Sequence, residues 1–201
     1  LALAGTIVTR PFANASPKHT AATAVNAAMD HFGVSKNDIR NTLAAALEKG
    51  GDYADLFFEH TFNNYVGLQD GAVNRCNSNI DFGMGVRVLS GDQTGYAYIE
   101  DITPQEMLKA ARTAARIADG SAKTAPAALT EKPLKKNYYT VSTRWEEVLL
   151  KDKTPYLQQL NEKVFALDKR VQKVSASLSD STTHILFCNS EGVSYYDYRP
   201  M

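Results

Sequence analysis

The sequence predicts an α+β domain with a mostly antiparallel sheet and helices packed on one face of that sheet. Three observations lead to this prediction. Apolar and alanine-rich segments with helical character come first, before Gly51. From Tyr53 to Ile99 the apolar period becomes two, with short turns between the segments. Helical segments followed by further strands complete the chain, an order typical of α+β domains.

Two helices are predicted before the first strand. The alanine-rich segment from His19 to Phe32 is predicted to be a helix that ends near Gly33. Ser35 and Asp38 have the spacing of a helix N-cap and a first-turn acid. The second helix should bury the residues that then recur at helical spacing and end at Gly50-Gly51; these residues are Ile39, Leu43, Ala46 and Leu47.

The strand region reads as a series of antiparallel strands joined by tight turns. Asp70-Gly71 is a strong hairpin signal, and Ser90-Gly91-Asp92 marks the next turn. The residues expected on the buried face of the first strand are Ala54, Leu56, Phe58 and Phe62, with Asp55 and Glu59 on the other face. In the second strand Phe82, Met84, Val86 and Val88 alternate with Gly83, Gly85, Arg87 and Leu89. The third strand is predicted from Thr94 to Ile99.

The second half predicts two more helices and a second set of strands. Thr103 and Pro104 suit a helix start, and the core face of this helix comprises Met107, Ala110, Ala111, Ala114, Ile117 and Ala118. Residues 120–139 are expected to be a long surface connection, followed by a short helical turn from Trp145 to Leu150. Thr154-Pro155 is predicted to start a helix with a core-facing stripe of Leu157, Leu160, Val164 and Leu167. The final strands are expected over residues 171–179, 184–188 and 193–198.

Composition restricts the classes of partner. The 201 residues carry 22 Lys and Arg against 22 Asp and Glu, so the formal net charge is zero. A nucleic-acid-binding protein usually has a basic excess or stripe, and direct contact with nucleic acid is therefore not expected. No apolar run approaches the roughly 20 residues of a membrane span, and no membrane span is expected.

The N-terminus has features of an export signal. Leu1–Val8 is apolar, and Ala13-Asn14-Ala15 matches the small-residue pattern of a signal-peptidase site. Residues 1–18 are therefore interpreted as a signal-peptide remnant or a flexible segment, and residues 19–201 as the α+β domain. This predicts an exported, periplasmic protein, with a cytoplasmic location as the alternative.

No catalytic or metal-binding set is recognisable from residue spacing. None of the four histidines, His19, His31, His60 and His184, has another within five residues, whereas helical zinc motifs commonly place two one turn apart. His60 is interpreted as a packed or hydrogen-bonded core residue, because it and Glu59 point to opposite faces of a strand. Cys76 and Cys188 form no Cys-x-x-Cys pair and read as small packed residues, with a disulfide between them as the alternative.

One strand segment is a candidate for contact with a substrate or a partner chain. Gly83 and Gly85 leave one face of their strand without side chains, so another backbone could approach closely. Arg87 lies on that face, where it could bind a carboxylate or a peptide carbonyl. The favoured alternative is that the glycines accommodate a packed helix and that Arg87 forms a surface ion pair.

Several segments resemble the TldD/PmbA family, also called the modulators of DNA gyrase. The segments similar to its first domain are Gly51–Phe57, Leu68–Gly71, Asn79–Val88 and Thr94–Tyr98. Residues 168–171, 174–178 and 197–200 resemble the TldD branch. The resemblance runs from about Asn41 to Met201, with low similarity across residues 120–145.

The resemblance implies a zinc-dependent peptidase that acts on peptides or unfolded proteins inside a dimer cavity, the dimer being formed with itself or with another family member. In that family a His-Glu-x-x-x-His helix and a later Cys in the C-terminal domain carry the metal. No residue here matches these ligands, so neither catalytic nor metal residues are assigned, and zinc is expected only in the full-length protein. This chain is then expected to shape the cavity and the dimer interface. The alternatives are a non-catalytic module that binds peptides by strand addition, and an exported scaffold whose catalytic half has been lost.

Overall fold

The computed structural model of this protein describes residues 21–122, 124–134 and 136–201. The predicted signal-like segment, Leu1–Val8 with Ala13 and Ala15, lies outside these residues. The described helices are α1 (Ala21–Phe32), α2 (Lys36–Leu47), α3 (Pro104–Ile117) and α4 (Leu150–Leu167), with a 3₁₀ turn at Trp145–Glu147. The strands are β1 (Tyr53–Gln69), β2 (Ala72–Ser90), β3 (Gln93–Ile99), β4 (Thr130–Glu131), β5 (Ser175–Asn189) and β6 (Val193–Pro200).

The strands form one sheet in the order β3-β2-β1-β5-β6-β4. The pairings are antiparallel except between β4 and β6. The central strand β1 pairs with β2 along its whole length and with β5 from Asp55 to Gln69. The described helices pack against this sheet, so the predicted α+β class is confirmed.

Local sequence signals account for the helix starts and the first turn. Ser35 Oγ accepts the Asp38 amide at 3.2 Å while the Asp38 carboxylate accepts the Ser35 amide at 2.9 Å, which confirms the predicted cap as a reciprocal capping box. Thr103 caps α3 by accepting the amide of Glu106. Asp70 and Gly71 both have positive φ, 49° and 84°, as a two-residue hairpin turn of type I′ requires.

The main core lies between the sheet and helices α1 to α3. The strand residues buried in it alternate along β1 and β2: Ala54, Leu56, Phe58, Met84, Val86 and Val88. In β3, Gly95 sits directly beneath α3, where a Cβ would collide with the Ala114 carbonyl oxygen. Glycine therefore allows α3 to lie closer to the sheet than any other residue would.

Helix α4 packs against β5 and the C-terminal end of β1. Its start and its buried residues differ from the prediction. It begins at Leu150 rather than at Thr154, because the Asp152 carboxylate accepts the Leu149 amide at 3.1 Å and satisfies one free amide at the helix start. The predicted core stripe was largely wrong. Leu157 is buried against Val66 and Leu68, but Leu160 and Leu167 are 42% and 81% exposed, since this helix crosses only one end of the sheet.

Three smaller corrections concern two strand assignments and one buried residue. The strands predicted over residues 171–179 and 184–188 are one strand, β5, since polar residues between them still pair with β1. The predicted surface connection includes the two-residue strand β4, too short to show any alternation. Ile117 is 54% exposed rather than part of the α3 core face.

No helix in the described part of the chain is long and apolar enough to cross a bilayer.

Candidate functional site

Gly83, Gly85 and Arg87 lie on the sheet face opposite the helices. Arg87 is paired across strands with Asp55, and its Nε donates to the Asp55 carboxylate at 3.0 Å. Asp55 is only 5% exposed, whereas the guanidinium is half exposed. The hydrogen bonds and charge of Asp55 raise the pKa of Arg87. Arg87 therefore neutralises a buried carboxylate, while part of its surface stays open to solvent.

Tyrosines, rather than a helix, cover the two glycines. A Cβ at Gly83 would meet the Tyr98 hydroxyl and the Ile99 carbonyl oxygen, and a Cβ at Gly85 would meet the Tyr96 ring. Tyr98 also donates to the Phe82 carbonyl at 3.4 Å. Aromatic side chains commonly cover glycine on a neighbouring strand. The surface of this face is consequently aromatic, with Tyr96 and Tyr98 both more than half exposed.

We expect Arg87→Ala to lower the free energy of unfolding by about 1–3 kcal/mol, because a buried carboxylate loses its charged partner. Urea unfolding at neutral pH measures this. Arg112→Ala is the matched control, since the Arg112 to Glu48 pair is 3.7 Å long and exposed. Equal stability losses in the two variants would contradict the role given to Arg87.

Three histidines that are far apart in sequence meet at the joint between α1 and the sheet. His31 Nε2 lies 2.8 Å from His60 Nδ1, and the His31 ring stacks on His184 with centroids 4.6 Å apart. His60 and His184 are cross-strand partners in β1 and β5. Sequence spacing missed this cluster, because the register of β1 with β5 pairs His60 with His184 and the packing of α1 on the sheet adds His31. We call His31, His60 and His184 the histidine cluster.

Hydrogen bonds link the histidine cluster to neighbouring side chains. His184 Nδ1 lies 2.7 Å from the Tyr196 hydroxyl and its Nε2 lies 3.3 Å from the Glu146 carboxylate. Burial lowers the pKa of all three histidines, and mutual repulsion adds to this for His60 and His184. In the described ranges no group of three or more His, Cys, Asp or Glu side chains could hold a metal ion, so these residues do not fit a zinc site.

The outer edge of β2 is open along more than half of its length. Strand β3 pairs only with Met84 to Ser90. Among the described residues, no other strand pairs with this edge over residues 72–83. Residues 72–81 are all exposed, including Val73 and Ile80. An open edge of this length presents free backbone donors and acceptors to an incoming strand.

A groove of about 420 Å³ runs beside this open edge, between the sheet and the start of α4. Its apolar wall is formed by Val66, Trp145, Val148, Leu149 and Leu150, and its β2 side by Cys76, Asn77 and Ser78. We call this space the edge groove.

The polar floor of the edge groove contains a chain of hydrogen bonds. Ser78 donates to Asn64 at 2.9 Å, and Asn64 donates to Asp180 at 2.9 Å. Lys153 Nζ donates to the other Asp180 oxygen at 2.6 Å and lies 5.5 Å from the centre of the Trp145 ring. Lys153 and Asp180 are both almost fully buried. The Lys153–Asp180 pair is thus electrically neutral, and Glu146 adds one carboxylate to the groove lining.

The two cysteines have different environments, and both thiols are free. Cys188 is packed in the main core as predicted, but Cys76 is exposed on the wall of the edge groove, so its interpretation as a small packed residue was wrong. The alternative of a disulfide between them was wrong. Burial raises the pKa of the Cys188 thiol to about 12, so Cys76 is the reactive one of the pair.

Two domain models of one protein family match the two regions of the chain that form most of this sheet. Residues 54–118 match the family model for PmbA/TldA metallopeptidase domain 1, and residues 143–201 match the model for the PmbA/TldA metallopeptidase central domain. The chain is 29% identical over 171 residues to a metalloprotease TldD homolog of Haemophilus influenzae, covering 84% of this chain and 35% of that protein. It is 31% identical over 170 residues to one from Buchnera aphidicola of Acyrthosiphon pisum, covering 83% and 34%.

Solved structures show the same fold. A modulator of DNA gyrase type protein from Thermotoga maritima superposes with a TM-score of 0.61 at 18% identity, covering 83% of this chain and 38% of that chain. TldE from Thermococcus kodakarensis gives 0.53 at 16% identity, covering 81% and 37%. The chain spans about a third of the length of the curated relatives it matches. By its two matching domain models and its TldD relatives, this chain belongs to the PmbA/TldD metallopeptidase family.

Proposed function

We propose that this chain is the substrate-holding N-terminal part of a zinc-dependent peptidase that acts on peptides or unfolded proteins. The observation that carries this proposal is the open edge of β2 over residues 72–83, with the edge groove beside it. The family's description as metallopeptidases supports a peptide as the ligand. An extended chain is the ligand form that a free strand edge selects.

Strand addition accounts for both features of the site. A peptide lying along β2 would gain main-chain hydrogen bonds that do not depend on its sequence. Its side chains would alternate between the two faces of the sheet. Those on the helix side would enter the edge groove, which has an apolar wall on the α4 side and a paired Lys153 and Asp180 at its floor. The site would therefore favour extended chains with apolar residues at alternate positions.

The metal belongs, in this proposal, to a part of the protein outside the described residues. Zinc would be held by a His-Glu-x-x-x-His helix and a later cysteine, and the substrate cavity would be completed by dimerisation with a family member. Sequencing the continuation of the gene tests this directly. A continuation of a hundred or so codons without such a helix would contradict the peptidase proposal, and would leave a non-catalytic strand-addition module as the remaining function.

Protection of Cys76 tests the binding step. Reduced, carboxymethylated lactalbumin serves as the unfolded-chain probe, and Ellman's reagent reports thiol reactivity. We expect saturating probe to slow modification of Cys76 by roughly tenfold or more, because an added strand would cover the groove wall that carries the thiol. Binding should be the same with and without a chelator, since no zinc ligand is assigned here.

A matched pair of variants distinguishes binding at the β2 edge from nonspecific hydrophobic binding of the probe. Ile80 on the open edge and Ile117 on α3 are exposed to similar extents, 59% and 54%. Ile80→Lys places a charge that discourages strand addition and should abolish the protection of Cys76. Ile117→Lys should leave it intact. Unchanged Cys76 reactivity with saturating probe, or equal effects of the two variants, would refute strand addition at β2.

A further inference from the structure

We propose that His31, His60 and His184 form an acid-sensitive latch, which holds the last turn of α1 on the sheet at neutral pH and releases it as the pH falls. This goes beyond the peptide site, because α1 does not line the edge groove. The proposal rests on the geometry of the three rings and on the apolar surface of the sheet that α1 covers.

The contact between His31 and His60 depends on a single hydrogen. Their nitrogens are 2.8 Å apart, which is the distance of an N–H···N hydrogen bond. Such a bond requires one nitrogen with a hydrogen and one without. When both rings are protonated, each nitrogen carries a hydrogen and the bond cannot form. Acid therefore converts this attraction into a repulsion between two cations.

Of the three histidine rings, only His184 has a carboxylate partner that could balance a positive charge. The Glu146 carboxylate accepts hydrogen bonds from His184 in β5 and from Tyr198 in β6. It therefore does not bond to His31 or His60. Arg144 lies over the Tyr198 ring and adds a positive charge nearby. The other side chains in ring contact with the cluster are uncharged: Phe32, Phe62, Phe82 and Tyr196. A charge on His31 or His60 consequently has no carboxylate partner among the described residues in contact with the cluster.

The sign of the pH effect follows from the pKa directions. Burial lowers the pKa of all three histidines below the ordinary value of 6.5. The folded state then binds fewer protons than the unfolded state when the pH falls below that value. The stability contributed by the cluster is fully present above pH 6.5 and decreases as the pH falls toward the lowered folded pKa values.

Release of α1 would uncover an apolar surface. Phe32, next to His31, packs its ring on Phe58 and Phe82 with centroids 5.6 and 5.8 Å apart. Val25, Ala28 and Met29 complete the buried side of the helix. The latch thus controls access to a phenylalanine-rich part of the sheet, and protonation is the signal that opens it.

Amide hydrogen exchange on this chain at pH 7.5 and pH 5.5, corrected for intrinsic rates, tests the latch. Helix α2 is the internal reference, since it shares the core but none of its residues is among the hydrogen-bond or ring partners described for the cluster. We expect protection in α1 to fall at least roughly tenfold relative to α2 at pH 5.5, the change that one unit of pKa difference supplies. Equal changes in α1 and α2 would overturn the proposal.

Two variants identify the histidines as the sensor. His31→Phe keeps a ring against His184 but cannot titrate, and His60→Gln keeps a hydrogen-bonding group but cannot become a cation. In each, the relative loss of α1 protection between the two pH values should shrink to less than roughly threefold. If either variant is folded and still shows the full wild-type response, the latch does not reside in these residues.

Discussion

Replacing Lys153 with alanine is expected to lower the free energy of unfolding by about 3–5 kcal/mol, because removing one partner of a buried ion pair leaves an uncompensated charge. Asp180 is 4% exposed and would keep only its hydrogen bond from Asn64 among its side-chain partners. Urea unfolding at pH 7 measures the loss. The loss should be larger than that of any exposed ion pair in the described residues, because a carboxylate that is only 4% exposed is poorly solvated.

Lys109→Ala is the matched control for Lys153→Ala. Lys109 pairs with Glu106 at 3.1 Å on the exposed side of α3, and such pairs contribute about 0.2–0.5 kcal/mol. The double variant Lys153→Met with Asp180→Leu should recover most of the stability, since neither charge is then buried alone. A double variant as unstable as Lys153→Ala would show that the loss comes from packing rather than from the orphaned carboxylate.

Gly95→Ala should destabilise the protein by about 1–3 kcal/mol, the usual effect of forcing an extra methyl group into a packed core. The methyl group would meet the backbone of α3 at Ala114. Backbone cannot rotate away as a side chain can, so the helix must move. Thermal unfolding measures the loss, and amide exchange should show its largest change in α3.

Gly85→Ala is the control, because it also adds one methyl group to a strand glycine. There the three atoms nearest the new Cβ all belong to the side chain of Tyr96, which is exposed and can rotate. We expect a small stability change, since alanine also loses less backbone entropy than glycine on folding. Equal losses at positions 85 and 95 would mean that close approach of α3 is not the reason for glycine at position 95.

The edge groove combines the two parts of the chain that match separate family models. Asn64, Cys76 and Ser78 come from the first matched region, and Trp145, Lys153 and Asp180 from the second. The pairing of β1 with β5 joins these regions in one sheet. A peptide in the groove would therefore contact both, so Lys153→Ala should weaken Cys76 protection as well as stability.

Sequence reasoning found the elements but not the site. The alternation in β1 and β2 correctly identified the buried face, and Gly83, Gly85 and Arg87 were correctly assigned to one face of one strand. The tyrosines that cover these glycines come from β3, and the carboxylate that binds Arg87 comes from β1. Neither partner can be read from the strand itself, because cross-strand neighbours depend on register.

The sequence by itself determined what depends on neighbours along the chain: the caps at Ser35 and Thr103, the Asp70-Gly71 hairpin, and with them the α+β class. These signals act within a few residues, so no tertiary information is needed to interpret them. Only the tertiary structure decided the histidine cluster, the buried Lys153–Asp180 pair and the open edge of β2. Each depends on which strands pair and how far each pairing extends, and register is fixed by the packing of the whole core rather than by any local segment.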